Sequence, residues 1–417
     1  MSIVRRDGRE RLAKGGACVG ATGSASFSNY LALASAVILS NVINVSGFGV
    51  VPSSSVHSMD NLVLGTVALP NLPSGDPNQL LDDAYERGFR RFDLARTYGL
   101  GKSEKIFGKW MDNASKLGVN REDICVVTKG GMGNDKYGDP NRELCTRESL
   151  RDELTQSLDA LRTDYADIYM LHRDDPRIET CDFVDWMNEL INDGLIKRWG
   201  VSNWSWERIQ SACNYALMTE QDKPTATSPQ LSLAVPNGMV WPSTESVSCP
   251  TKMGEIEWYK SEGIEVMGWE ALAKGFMAVP DLWDEQSLDQ NLIRGPDREL
   301  GSNEWRMQRI QRAYCTKENY ERRRLAHQIA KESGLSLAQV SLLYSLQKGE
   351  HVSVLVGADC AKHLDEMKDL CGWELDDEAF DSLTAATFVP KAAFITPPDA
   401  MQPNLIKMAN STLLTYA

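Results

Sequence analysis

Residues 92–99 read FDLARTYG. An apolar run ends on a carboxylate, Asp93, and a tyrosine, Tyr98, follows in a stretch without strand or helix periodicity. A buried strand that stops on an acid needs a cation or several donors beside it, because an unanswered carboxylate costs several kcal/mol to desolvate. The partner must come from elsewhere in the chain, so the rest of the sequence has to say which elements surround this strand end.

Eight short apolar runs with β-branched content recur along the chain, at 62–69, 90–95, 124–129, 167–172, 197–203, 228–233, 264–272 and 352–358. Their length and composition fit strands buried on both faces. Between them lie helical patterns at 76–88, 146–163, 182–194, 255–263 and 318–334; in the second, Leu150, Leu154, Leu158 and Leu161 form one stripe. Strands alternating with helices in this number predict an α/β fold, a (β/α)8 TIM barrel, with long loops at its C-terminal mouth. The stretches 234–253 and 279–315 exceed ordinary loop lengths and are the expected mouth loops.

Three domains of sequence follow. Residues 1–58 read as an N-terminal extension, 59–390 as the barrel, and 391–417 as a C-terminal arm. The extension is Ser-rich and acid-poor, carries Arg5, Arg6, Arg9, Arg11 and Lys14, and includes the apolar run at 30–39. That composition is the signature of a transit peptide, pointing to an organellar or a cytoplasmic location, and its apolar run is shorter than the ~20 residues needed to cross a bilayer. No barrel element is expected before Asn61.

The 417 residues carry a formal charge of −14, which speaks against nucleic acid as a partner. The nine cysteines are scattered without a CxxC pair, so neither structural zinc nor a disulfide framework is expected.

In such a barrel, functional side chains come from the C-terminal ends of the strands. Asp93, Lys129 and His172 occupy that point on three consecutive predicted strands, and Tyr98 follows the first of them. Asp93 is therefore expected to pair with Lys129, with the Tyr98 hydroxyl facing the pair. A cation beside a phenol favours the phenolate, which suits a group that gives and takes a proton. A neutral His172 can hydrogen-bond a carbonyl oxygen and orient it.

These residues resemble the aldo-keto reductases. FDLARTYG is similar to the family's Asp and Tyr segment, VVTKGG (126–131) to its lysine segment and YMLHRDDP (169–176) to its histidine segment. The resemblance continues through GVSNW (200–204), SPQLSL (228–233) and MGWEALAKG (267–275), and covers residues 61–383. It implies reduction of an aldehyde or ketone by hydride from NADP(H) or NAD(H), with Tyr98 as general acid, Lys129 and Asp93 tuning it, and His172 orienting the small-molecule carbonyl substrate. It further implies that Ser202, Asn203 and Gln230 hold the nicotinamide carboxamide, that Trp269 stacks on its ring, and that Leu272, Gly357 and His363 contribute to the cofactor site.

Two departures stand out. Glu270 follows Trp269 where many relatives have Ser, and Asp359, Cys360 and His363 stand where relatives place a cation for the 2′-phosphate of NADP. Asp359 would repel that phosphate, which makes NADH a contender, although Lys362 lies nearby. Two alternatives remain open: a non-catalytic nucleotide-binding regulatory subunit of the same fold, and a barrel glycoside hydrolase using Asp174 and Glu270.

Overall fold

The structure is a computed structural model that describes residues 49–53, 57–72, 75–115, 118–132, 145–279 and 303–386. The expected C-terminal arm and most of the expected extension lie outside the described residues.

Eight parallel strands close into a barrel in chain order: β2 (Leu62–Gly65), β3 (Arg91–Asp93), β4 (Cys125–Gly130), β5 (Ala166–Leu171), β6 (Ile196–Ser202), β7 (Ala226–Ser228), β8 (Glu265–Gly268) and β9 (Val352–Val356). The ring closes where β2 meets β9, with Leu62 opposite Val354 and Leu64 opposite Val356. Every strand that the apolar runs predict is present. Alternate side chains fill the inside: Val63, Val127, Ile168, Met170, Ala226 and Met267 form the barrel interior. Their neighbours Leu62, Leu64, Phe92 and Val126 pack outward against helices.

The helices start where local chemistry directs. Asp76 caps Pro77–Glu86 by accepting from the Asn78 N–H at 2.9 Å, and Pro77 needs no partner in the first turn. Thr146 and Ser149 make a reciprocal capping box for Arg147–Leu161, which buries the predicted leucine stripe. Gly334, at φ +70°, ends Lys317–Ser333 in the left-handed conformation.

Three expectations change. The strand expected at 228–233 instead ends at Ser228, because Pro229 has no N–H for a ladder. Gln230 then makes only isolated bridges to Ser246 and Trp269. Within the expected loop 279–315, Asn303–Tyr314 is a helix. Its buried side carries Gln308 and Gln311 beside Trp305, Ile310 and Tyr314, and these glutamines dilute the apolar period.

Residues ahead of the expected boundary at residue 58 also take part in the fold. Val50–Pro52 (β1) pairs antiparallel with Trp373–Leu375 (β10), outside the barrel ring. Val50 is buried, and the Ser53 N–H reaches the Gly372 carbonyl at 2.8 Å. A three-residue edge pairing has too little sequence for a periodicity to register.

At the N-terminal end of the barrel, Arg91 donates to Glu265 Oε2 at 2.8 Å and to Ser353 Oγ at 3.1 Å, and Ser353 donates to Glu265 Oε1 at 2.6 Å. This polar network joins three strands below the apolar interior.

Candidate active site

Asp93 is the last residue of β3, Lys129 the penultimate residue of β4, and His172 follows β5 directly. The parallel register puts all three at the same end of the barrel. After Asp93 the chain turns back, and Tyr98 comes to rest over the Lys129 ammonium. The Lys129 Nζ donates to the Tyr98 hydroxyl at 2.9 Å and to the Leu94 carbonyl at 3.2 Å, and forms an ion pair with Asp93. Tyr98 in turn donates to Asp93 Oδ2 at 2.9 Å. All three side chains are buried.

This triangle answers the acid at the end of FDLARTYG. The carboxylate is compensated by an ammonium and a phenol, so its burial needs no further partner. Burial pulls the Lys129 ammonium below the ordinary lysine range, and the Asp93 carboxylate opposes that pull.

The His172 ring stands edge-on to Tyr98 with ring centroids 6.0 Å apart. Burial holds its imidazole well below the ordinary histidine range, and the positive charges of Arg173 and Lys129 add to that effect. The ring is therefore neutral at pH 7. Its Nδ1 lies 3.4 Å from the Thr97 hydroxyl, a residue that the sequence reading passed over although it sits inside the decisive stretch. The contact accommodates the tautomer in which Thr97 donates to Nδ1 and the hydrogen is on Nε2.

Sequence reasoning also passed over Glu104. It is 1% exposed, accepts from the Thr128 hydroxyl at 2.6 Å, and is pushed up in pKa by burial. Thr128 and Lys129 are neighbours on β4 and point to opposite faces, so Glu104 lies behind the lysine on the helix side. A single acid in an amphipathic helix gives no sequence signal of burial.

Of the residues that the family resemblance implies for a cofactor, Ser202, Asn203 and Trp269 form a connected chain of bonds. Ser202 Oγ donates to the Ser228 carbonyl at 3.0 Å, Asn203 Nδ2 donates to Ser202 Oγ at 2.8 Å, and Trp269 Nε1 donates to Asn203 Oδ1 at 3.1 Å. Asn203 takes the left-handed conformation at φ +60°, which asparagine tolerates and which turns its amide back across the strand ends. Gln230 is fully buried, and its carbonyl oxygen accepts from Ser246 at 2.6 Å and Ser248 at 2.7 Å. Leu272 is half-buried, and its carbonyl accepts from Gly275 and Met277. Gly357 and His363 follow β9, and the His363 partner is local: Nδ1 lies 2.7 Å from Asp359 Oδ1. Lys362 turns to Glu366 at 3.4 Å.

Asp174 and Glu270 are each engaged elsewhere. Asp174 pairs with Arg208 at 2.7 Å. Glu270 accepts from Trp241 Nε1 at 2.8 Å and from the Tyr314 hydroxyl at 2.7 Å, and pairs with Lys274 at 3.2 Å. It thereby joins the 234–253 loop and the Asn303–Tyr314 helix to the end of β8. Trp241 and Trp305 pack on each other at 5.4 Å, and Met239 is exposed.

Among the described residues no helix is long and apolar enough to cross a membrane. The chain is 27% identical over 282 residues to a protein of Oryza sativa subsp. japonica named "Probable voltage-gated potassium channel subunit beta", a match covering 67% of this chain and 76% of that protein. Among solved structures it is similar to glycerol dehydrogenase from Gluconobacter oxydans, with a TM-score of 0.56 and 22% identity over 78% of this chain and 90% of the other. A thermostable aldo-keto reductase crystallised with epalrestat superposes with a TM-score of 0.55 at 21% identity, covering 78% of this chain and 94% of that one. These two likenesses speak to the fold. The aldo/keto reductase family profile matches residues 61–387, which span the closed barrel and all four clustered side chains, and the chain therefore belongs to the aldo/keto reductase family.

Proposed function

We propose that the protein reduces an aldehyde or ketone to an alcohol, reversibly, using NADPH or NADH. The observation that carries this reading is the buried Asp93–Lys129–Tyr98 triangle beside a neutral His172. A bound nicotinamide would supply the hydride. The residues near the ends of β6, β7 and β8 suit that ring: Ser202 and Asn203 would hold the carboxamide and Trp269 would offer an aromatic face, while Gln230, buried and bonded to Ser232, Ser246 and Ser248, would assist them only through these serines.

The chain's own residues do the rest. His172 Nε2–H donates to the carbonyl oxygen and fixes its direction. Tyr98 gives its proton to that oxygen as negative charge develops there. Lys129, 2.9 Å away, stabilises the phenolate left behind, and Asp93 keeps the ammonium in place. In the oxidative direction the same phenolate takes the alcohol proton.

The rice relative is named as a channel subunit, which favours a second reading: a regulatory subunit of the same fold that binds nucleotide without turnover. A panel of aldehydes and ketones assayed by cofactor absorbance separates the two. Steady oxidation of NADPH or NADH supports the enzyme. Cofactor binding without consumption across the panel overturns it. The same assay reads cofactor choice: with Asp359 in its segment and Lys362 turned to Glu366, NADH is expected within about tenfold of NADPH, a gap of about 1.4 kcal/mol.

A further inference from the structure

Asp359, Cys360 and His363 bring a carboxylate oxygen, a thiol sulfur and an imidazole nitrogen within 4.8 Å of one another. Asp359 and Cys360 stand between β9 and the helix Ala361–Lys368, and His363 lies in the first turn of that helix. The spacing D-C-x-x-H matches no closed four-ligand zinc pattern, so the cysteine spacings give no sign of it. We propose that these three residues form an open binding site for a thiophilic divalent cation, zinc being the best fit.

Several observations favour a metal over a plain surface ion pair. Cys360 is exposed and stands at the cap position of the helix, yet its side chain makes no capping bond. His363 lies one turn on, and its ring is already directed at Asp359, with Nδ1 at 2.7 Å from Oδ1. The nearest lysine, Lys362, points to Glu366 and puts no competing ammonium in the cluster. Asp359 and His363 are each 45% exposed, so the side chains can adjust and water can complete the coordination.

The ligand chemistry selects the ion. A thiolate and an imidazole favour zinc over magnesium or calcium, which prefer all-oxygen shells. Tetrahedral zinc with bonds of ~2.0–2.3 Å places its ligands ~3.3–3.7 Å apart, so the present spread must close by about 1 Å. Rotation of exposed side chains supplies that. The helix N-terminus opposes a cation, but a metal takes its cysteine as thiolate, and with thiolate and carboxylate both bound the divalent centre is neutral. Three protein ligands leave one position for water or an anion.

The test uses the untagged full-length chain, freed of metal by a chelator and titrated with cobalt chloride and then zinc chloride, without nucleotide. The expected result is one cobalt per chain with a thiolate-to-cobalt charge-transfer band that zinc abolishes. Cys360→Ser should remove the band, and His363→Ala should weaken binding by at least about tenfold. Cys371→Ser, a half-buried cysteine outside the cluster, should leave both unchanged. Absence of a saturable band in the wild type, or its survival in Cys360→Ser, overturns the proposal. Because no substrate or nucleotide is present, the outcome is independent of whether the barrel reduces carbonyls.

Discussion

The Glu270 carboxylate accepts the Tyr314 hydroxyl at 2.7 Å, joining the end of β8 to a helix that follows a long excursion of the chain. Glu270 holds this position in the left-handed conformation at φ +58°, and Ala273 and Lys274 share that conformation a turn later. Three such residues in one short stretch cost of order 1–3 kcal/mol each and persist only where the surroundings hold them.

Glu270→Ala should therefore release the 234–253 loop and the Asn303–Tyr314 helix. It leaves the half-buried Trp241 indole and the buried Tyr314 hydroxyl without their shared acceptor, a loss of about 1–3 kcal/mol at the buried Tyr314. Faster amide exchange across both segments, with the barrel strands unchanged, is the expected signature. Unchanged exchange in the two segments would show that the carboxylate does not hold them.

Tyr98→Phe should lower carbonyl turnover by about 10²–10⁴-fold while leaving cofactor affinity close to wild type. The ring still fills its place, and only the hydroxyl between Lys129 and Asp93 is lost. Turnover and cofactor titration on the same preparation decide it; a variant with more than about half of wild-type turnover removes Tyr98 from the chemistry.

Removing residues 1–57 should leave a folded barrel of reduced stability. The cut deletes β1, exposes the face of Leu375 that Val50 covers, and frees the Ser53 and Asp376 backbone bonds. Losing one buried valine and a short ladder amounts to about 2–3 kcal/mol, or about 4–8 °C in melting temperature. Calorimetry on the full and shortened chains checks this. An unshifted transition would mean that the ribbon contributes nothing.

Stability should fall on acidification from about pH 6.5. His172 is held neutral in the folded chain by burial, and His57 and His351 are shifted the same way. Unfolded histidines take up protons below pH 6.5 while the folded ones do not, so the unfolded state binds more protons and folding weakens as pH falls. Above that pH both states are neutral and the contribution vanishes. For the fully buried His172 the slope approaches about 1.4 kcal/mol per pH unit. Urea unfolding at pH 7.5 and 5.5 should show a smaller acid loss in His172→Gln, and an equal loss in both proteins would refute the assignment.

What the sequence revealed, and what it hid, follows from the range of the forces involved. The barrel strands announce themselves because β-branched runs such as those around Val126 and Ile168 must be buried on both faces. Asp93, Lys129 and His172 were legible because strand ends in a closed parallel ring converge by geometry alone. Thr97 and Glu104 were not, since a hydroxyl or an acid reveals its role only through its neighbour in space. Pro229 could have shortened the predicted β7, because the missing N–H is visible in the sequence. The partners of Glu270 were beyond reach: Trp241 and Tyr314 lie in different excursions, and nothing local couples them.

The Arg91–Glu265–Ser353 network sits at the end of the barrel opposite Tyr98 and uses none of its residues. For protein engineering this is a division of labour. The lower end can be repacked or charge-reversed in pairs to adjust thermal tolerance, and the apolar interior that separates it from Asp93, Lys129 and Tyr98 keeps such changes additive with changes at the upper end.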